Sequence, residues 1–364
     1  MSNKIRRPMI ALGALLAMTC GGMGTTAALA ADWEPEFIYG VLQPLPDGFP
    51  NGPITIVAAG DETSVAGLLA RKLSEYSTIF KPVDINVEYR PDFEAFGSWE
   101  ALKYAAGAEG GDEGYVNVIF ASPDDLINLH ITPVTKDLGV GLDDLSEVIS
   151  LEDHRYALVQ CKQAGWGPTW EALVQQIKGN PGEVRYAAGE AGDRLDMTLG
   201  HYMQVQELGS LSDKAVINST NVGDVAARTE AVANCEADIT VTDMAQLITE
   251  RMFENVDVVL ISGNKRLGKV KDVQTATEAG IADDPMSRTM QVVVPASVDP
   301  LHVKWLNVLW SKTGNDSYFK AGRVLDQAVN LANVRDAEAS AALNDASNAK
   351  MDALTRALGI SIDQ

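Results

Sequence analysis

Two short segments bring together the residue types that recognise charge. "AAGDETS" runs from Ala58 to Ser64, and "AAGEAGDR" runs from Ala187 to Arg194. Each joins a strand-like run to a helical pattern. Each therefore delivers the chain to a helix N-terminus, where free N–H groups and the helix dipole favour an anion. Yet the first carries Asp61 and Glu62, and the second Asp193. A carboxylate 4 Å from a bound carboxylate costs roughly 4 kcal/mol at an effective dielectric near 20. Either these acids cap their helices and point away, or the ligand has an ammonium or hydroxyl to offer them. Arg194 opens the second helix, at the end where the dipole disfavours a cation. It pairs with Asp193, Glu190 or solvent, or it grips a ligand carboxylate with its fork of donors.

Covalent chemistry has no such foothold. There is no G-x-S-x-G elbow and no G-x-x-x-x-G-K-[ST] phosphate loop. His130, His154, His201 and His302 are scattered without ligand spacing and read as surface or helix-face residues. The acidic stretches lack the D-x-[DN]-x-[DN]-G order of a calcium loop. The reading is of no enzyme, no metal and no cofactor.

The elements that position the two loops alternate. "PITIVAA" is a strand, Ser64 to Tyr76 a helix with Val65, Leu68, Leu69, Leu73 and Tyr76 on one face, and "DINVEYR" a strand. Helical signals around Trp99 to Lys103 and the strand "YVNVIFAS" follow. The order β-α-β-α-β predicts a parallel sheet with helices on both faces. "YALVQ", a helix capped by Thr169 and anchored by Trp170, "EVRYAAG", a helix capped by Asp193, "KAVINST", a helix over 222–233, "ADITVT", and a helix over 244–253 repeat the scheme. "VDVVLIS" and "TMQVVVP" are further strands, and the tail from His302 is helical. Two α/β lobes result, each offering a ligand the carboxyl ends of its strands.

Lys4, Arg6 and Arg7, the apolar "MIALGALLAM" and "ALA" at 28–30 have the order of a secretory signal cut after Ala30. A lipoprotein signal using Cys20 fits less well. The chain has 29 Lys and Arg against 50 Asp and Glu, a formal net charge of −21, and loss of the leader makes it more negative. That argues against nucleic acid and anionic membranes as partners. Cys161 and Cys235 either form one disulfide, as export favours, or remain two buried thiols.

The motif order resembles the extracytoplasmic solute receptors of the tripartite tricarboxylate transporter family, also called Bug proteins. The cues are "FPNGPITIVAAG…VAGLLARKLSE", "VEYRP" with "DEGYVNVIFAS", "TWEALVQQIKGNPGEVRYAAGEAG", "ADITVTDM" and "KVKDVQTATEAGI", in the family's order over most of residues 49–295. "VINSTNVGD" departs from the family's "V-P-Y-K-G", and both loops are more acidic than the family's.

The resemblance implies an α/β, two-lobed periplasmic-binding-protein (Venus flytrap) fold of the class II type with its ligand cleft between the lobes. Lobe 1 is expected over 31–124 and 256–364, lobe 2 over 125–255, with hinges near 122–128 and 252–257. Ligand contacts carried over are Ala59, Gly60, Asp61, Glu62, Thr63, Ser64, Ser122, Ala188, Gly189, Gly192, Asp193, Arg194 and Asp243. The implied protein is a periplasmic monomer that captures a small organic carboxylate and hands it to inner-membrane transporter subunits. The alternatives are a receptor of the same fold feeding a sensor, an amino-bearing carboxylate as ligand, and an exported two-lobed enzyme.

Overall fold

A computed structural model describes residues 33–93, 97–106, 116–120, 142–189, 193–223, 225–249, 252–281, 288–326 and 331–357. A short hairpin, β1 (Phe37–Ile38) and β2 (Val41–Leu42), leads into β3 (Ile54–Ala59) and α1 (Val65–Ser77). Ser64 caps α1 by accepting a hydrogen bond from the Gly67 N–H at 3.0 Å. The helix then turns Ala66, Leu69, Ala70 and Leu73 into the core. β4 (Ile85–Arg90), α2 (Gly97–Ala106), β5 (Val116–Phe120) and β6 (Leu145–His154) follow.

After β6 come β7 (Tyr156–Cys161), α3 (Trp170–Gly179), β8 (Arg185–Ala188), α4 (Arg194–Val205), β9 (Asn218–Asn221), α5 (Val225–Ala233), β10 (Ile239–Asp243), α6 (Met244–Thr249) and β11 (Val256–Ile261). The chain ends through β12 (Arg288–Pro295), α7 (Pro300–Asn315), α8 (Ser317–Asp326), β13 (Leu331–Arg335) and α9 (Ala337–Ala357). Thr169 and Asp193 cap their helices as expected, and Trp170 is buried.

Two main sheets form. One has the order β13-β6-β12-β5-β3-β4, the other β11-β7-β10-β8-β9. Leu69, Leu73, Val292, Trp305 and Trp310 belong to a core on the first sheet. Trp170, Leu173, Leu199 and Tyr202 belong to one on the second. The expected parallel pairing is present from β4 through β3 to β5 and from β9 through β8 to β10. It stops there: β12 is antiparallel to β5 and β6, and β7 is antiparallel to β10 and β11. Both sheets are therefore mixed. A parallel neighbour needs a local crossover, whereas β12 enters its sheet on return from the other one.

Strand membership corrects the expected lobe boundaries. β6 lies in the first sheet, so residues 145–154 belong with lobe 1, and β11 lies in the second sheet, so 256–261 belong with lobe 2. The chain changes sheets at Arg155 and again between Ile261 and Arg288. The hinge expected near 252–257 falls on a helical turn, Met252–Glu254, and the start of β11, inside the second sheet. The 122–128 hinge and the leader, residues 1–30, lie outside the described residues. β6 escapes a pattern reading because its buried end carries Ser150, Glu152, Asp153 and His154. The tail is not all helix, since β13 pairs with β6 at the sheet edge.

His154 is neither a surface nor a helix-face residue. It is fully buried in β6, 2.6 Å from the Glu152 carboxylate. Cys161 and Cys235 form a disulfide with a Cα–Cα separation of 5.2 Å. It ties the end of β7 to the turn after α5. α9 spans the two halves. Ser340 meets Ser150 at 2.8 Å and Asn344 donates to Glu147 at 2.7 Å, while Leu354 joins the core of the second sheet.

Candidate functional site

Pairing directions decide which ends of the strands meet. Because β12 is antiparallel to both β5 and β6, β6 runs with β3, β4 and β5. His154 therefore ends at the same sheet edge as Ala59, Arg90 and Phe120. In the second sheet β7 opposes β10, so Tyr156 starts at the edge where Ala188, Asn221 and Asp243 finish. One residue, Arg155, separates β6 from β7. The carboxyl edges of the two sheets are thus joined directly, and both anion-loop candidates stand at those edges.

In the first loop, Gly60 has φ +112° and donates its N–H to the Arg90 carbonyl at 2.9 Å. Its missing side chain leaves room for Ser64, whose Oγ and Cβ a Cβ there would overlap. Asp61 is exposed, and one of its oxygens accepts from the Thr63 N–H at 2.8 Å, the Thr63 hydroxyl at 2.7 Å and the Ser64 N–H at 2.9 Å. These bonds, the Thr63 hydroxyl foremost, hold its carboxyl below the ordinary value. Ser64 donates its hydroxyl to the Asp61 carbonyl at 2.7 Å. The acid thus folds back on the helix start. Glu62 is exposed beside it, and Ala59 is half-buried.

The second loop is built around a buried cation. Asp193 caps α4, accepting from the N–H groups of Leu195 at 2.8 Å and Asp196 at 3.2 Å. The guanidinium of Arg228, from α5, donates to both Asp193 oxygens at 3.2 and 3.1 Å and to Asp196 at 3.2 Å. Asp196 also accepts from the Tyr186 hydroxyl at 2.6 Å and the Gly189 N–H at 3.0 Å. Burial, then the neighbouring Asp193 charge, push Asp196 up to about 6. Burial likewise drives Tyr186 well up, reinforced by Asp196. Burial acts against the charge on Arg228, but Asp193 outweighs it and raises its pKa. The N–H groups of Gly189, Leu195 and Asp196 are therefore occupied by the protein's own carboxylates.

Arg228 holds Asp193, and Arg194 is stacked on an aromatic ring. Its guanidinium lies over the Tyr156 ring, 5.1 Å from the centroid, in a buried position. Asp243 is buried at the end of β10 and accepts from the Ala245 N–H at 2.7 Å, so it caps α6. Ala188 is buried and ends β8. Ser122 and Gly192 lie outside the described residues. Among the described residues, no three His, Cys, Asp or Glu are grouped to hold a metal ion.

Two residues at this edge were missed in the sequence. Arg228 falls three after Val225 and four before Val232, on the inward stripe of its helix, and a charge on that stripe is the signal that could have found it. Arg155 precedes a strand-like run and carries no such signal. It is only 6% exposed.

No protein-family model matches the chain, and no curated protein matches it. Solved structures do match, and they define the fold as the two-lobed α/β fold of periplasmic binding proteins. Among them is the periplasmic binding protein BugD, 14% identical with a TM-score of 0.64, covering 86% of this chain and 99% of its own. MatC from Rhodopseudomonas palustris with bound malate is 16% identical with a TM-score of 0.61, covering 85% and 100%. An R. palustris protein with adipate is 14% identical with a TM-score of 0.65, covering 85% and 98%. The resemblance read from the motif order therefore holds at the level of the fold.

Proposed function

We propose that the chain is a periplasmic receptor that binds a small organic carboxylate between its lobes and delivers it to a transporter of the tripartite tricarboxylate type. The observation that supports this most is the joining of two carboxyl strand edges through Arg155, in a fold shared with proteins solved with malate and adipate. Ligands of open α/β sheets bind at such edges. The work is domain closure about the two crossings, at Arg155 and between 261 and 288. No step of covalent chemistry is assigned, and the protein acts as a binding protein rather than an enzyme. The bonds of Asp61 to Thr63 and Ser64 account for that acid without an ammonium on the ligand.

Native mass spectrometry of the protein as purified, followed by thermal-shift titration with malate, adipate and amino acids, tests the reading. A retained or stabilising carboxylate supports it. Turnover of the added acid, or stabilisation by amines alone, defeats it.

A further inference from the structure

We propose that Arg155 is the charge on which the ligand's carboxylate is seated, in place of the two helix N-termini. This rests on the carboxylate-receptor reading above and adds the group that recognises the anion.

At α4 the N–H groups of Leu195 and Asp196 are held by Asp193, and on the approach to α1 those of Thr63 and Ser64 are held by Asp61. A ligand carboxylate would have to displace those acids. Arg155 is differently placed. It is the single residue between the two sheets, and its backbone carbonyl accepts from the Met244 N–H at 2.9 Å, at the start of α6. Its guanidinium lies against Gly263, just past the end of β11. A Cβ at Gly263 would overlap both Cζ and Nη1 of Arg155. The side chain therefore sits where the two crossings between sheets come together.

The residue is nine-tenths buried, and its Nε has no hydrogen-bond partner. The acids nearest in sequence are committed. Asp153 accepts from both terminal nitrogens of Arg335 at 2.8 Å, from Asn333 at 2.8 Å and from Thr289 at 3.2 Å. Burial pushes Asp153 up, but Arg335 outweighs it and holds the carboxyl below its usual value, and the Arg155 charge contributes. Glu152 is bonded to His154 at 2.6 Å. Among the described residues no carboxylate is hydrogen-bonded to Arg155, while Asp153 is held by Arg335 and Asn333. A buried cation without a close counter-ion is costly. A carboxylate arriving at the crossing would remove that cost, and the planar fork suits it geometrically. Because the crossing is also a hinge, the anion would bind where its charge is felt by both lobes.

The test compares wild type with Arg155→Gln and Arg155→Lys in the full mature protein, by calorimetric titration and thermal shift with malate and adipate as probes. The expected result is a loss of affinity of about 30-fold or more in Arg155→Gln, part of it recovered in Arg155→Lys. Ligand-free Arg155→Gln should melt no lower than wild type, since it loses an uncompensated cation. Titrations that leave Arg155→Gln binding about as tightly as wild type would overturn the proposal. So would a clear fall in its ligand-free melting temperature, which would make Arg155 a holder of the fold. If wild type binds neither acid, the carboxylate reading fails and sulfate decides for Arg155. Stabilisation by sulfate that disappears in Arg155→Gln supports it as an anion seat, and no effect of sulfate overturns it.

Discussion

Arg228 holds Asp193 with both of its terminal nitrogens, at 3.2 and 3.1 Å, and reaches Asp196 with one of them at 3.2 Å. One buried guanidinium therefore organises the whole start of α4. The helix start that looks open to an anion in sequence is held by an internal ion cluster.

Removing that guanidinium leaves two partly buried carboxylates facing each other. Arg228→Gln should lower unfolding stability by about 3 kcal/mol, with the denaturant slope unchanged. Arg228→Lys should recover only part, because an ammonium cannot fork across Asp193. Urea denaturation of the three proteins at neutral pH reads this directly. Equal midpoints would show that the cluster carries no stability.

Asp196, raised to about 6, makes stability depend on pH in an unusual direction for a carboxyl. Its folded pKa lies above the unfolded one, so the folded state holds the proton more tightly between about pH 4 and 6. The contribution is greatest below that window and is lost as pH rises through it. The stability of wild type relative to Asp196→Asn should therefore fall by about 1 kcal/mol between pH 5 and 7. Thermal melts of both proteins at the two pH values measure the double difference. A constant difference would place the Asp196 pKa in the ordinary range.

Asp61 acts through the turn it holds ahead of the Ser64 cap. Asp61→Ala should lower the melting temperature, Asp61→Asn should retain most of it, and Glu62→Gln should change it little, because an Asn side chain closes the same turn onto the backbone two residues on. Affinity for a carboxylate should not fall in Asp61→Asn. If instead Asp61→Asn binds its ligand poorly at an unchanged melting temperature, the acid belongs to the ligand site.

The disulfide closes a span of 74 residues across much of the second lobe. Replacing Cys161 and Cys235 together by Ala should cost about 2–4 kcal/mol. The loss should show as easier unfolding of the second lobe, followed by the fluorescence of Trp170 in its core. Unchanged unfolding in the double variant would mean the bridge adds nothing to the contacts around it.

Much of the local structure is written in the sequence, because the signals are local. Thr169 and Asp193 announce their helices, and each does cap one, while the first helix is capped by Ser64 rather than by Asp61. Strands of alternating or continuous apolar residues announce themselves as well, as "PITIVAA" and "ADITVT" do. The motif order carries the two-lobed fold, since it records the succession of strand, loop and helix.

What escaped depends on residues far apart in the chain. β6 looks polar because its Asp153 is satisfied by Asn333 and Arg335, about half the chain away. The lobe boundary moved with it. Arg228 acquires its partner only when Asp193, 35 residues earlier, is brought against it. Arg155 has no pattern at all. Its meaning comes from lying between two sheets whose strand directions are set by pairing. Periodicity and capping act within a few turns and can be read in a line of letters. Ion clusters, strand partners and the meeting of two sheet edges exist only once the chain has folded back on itself.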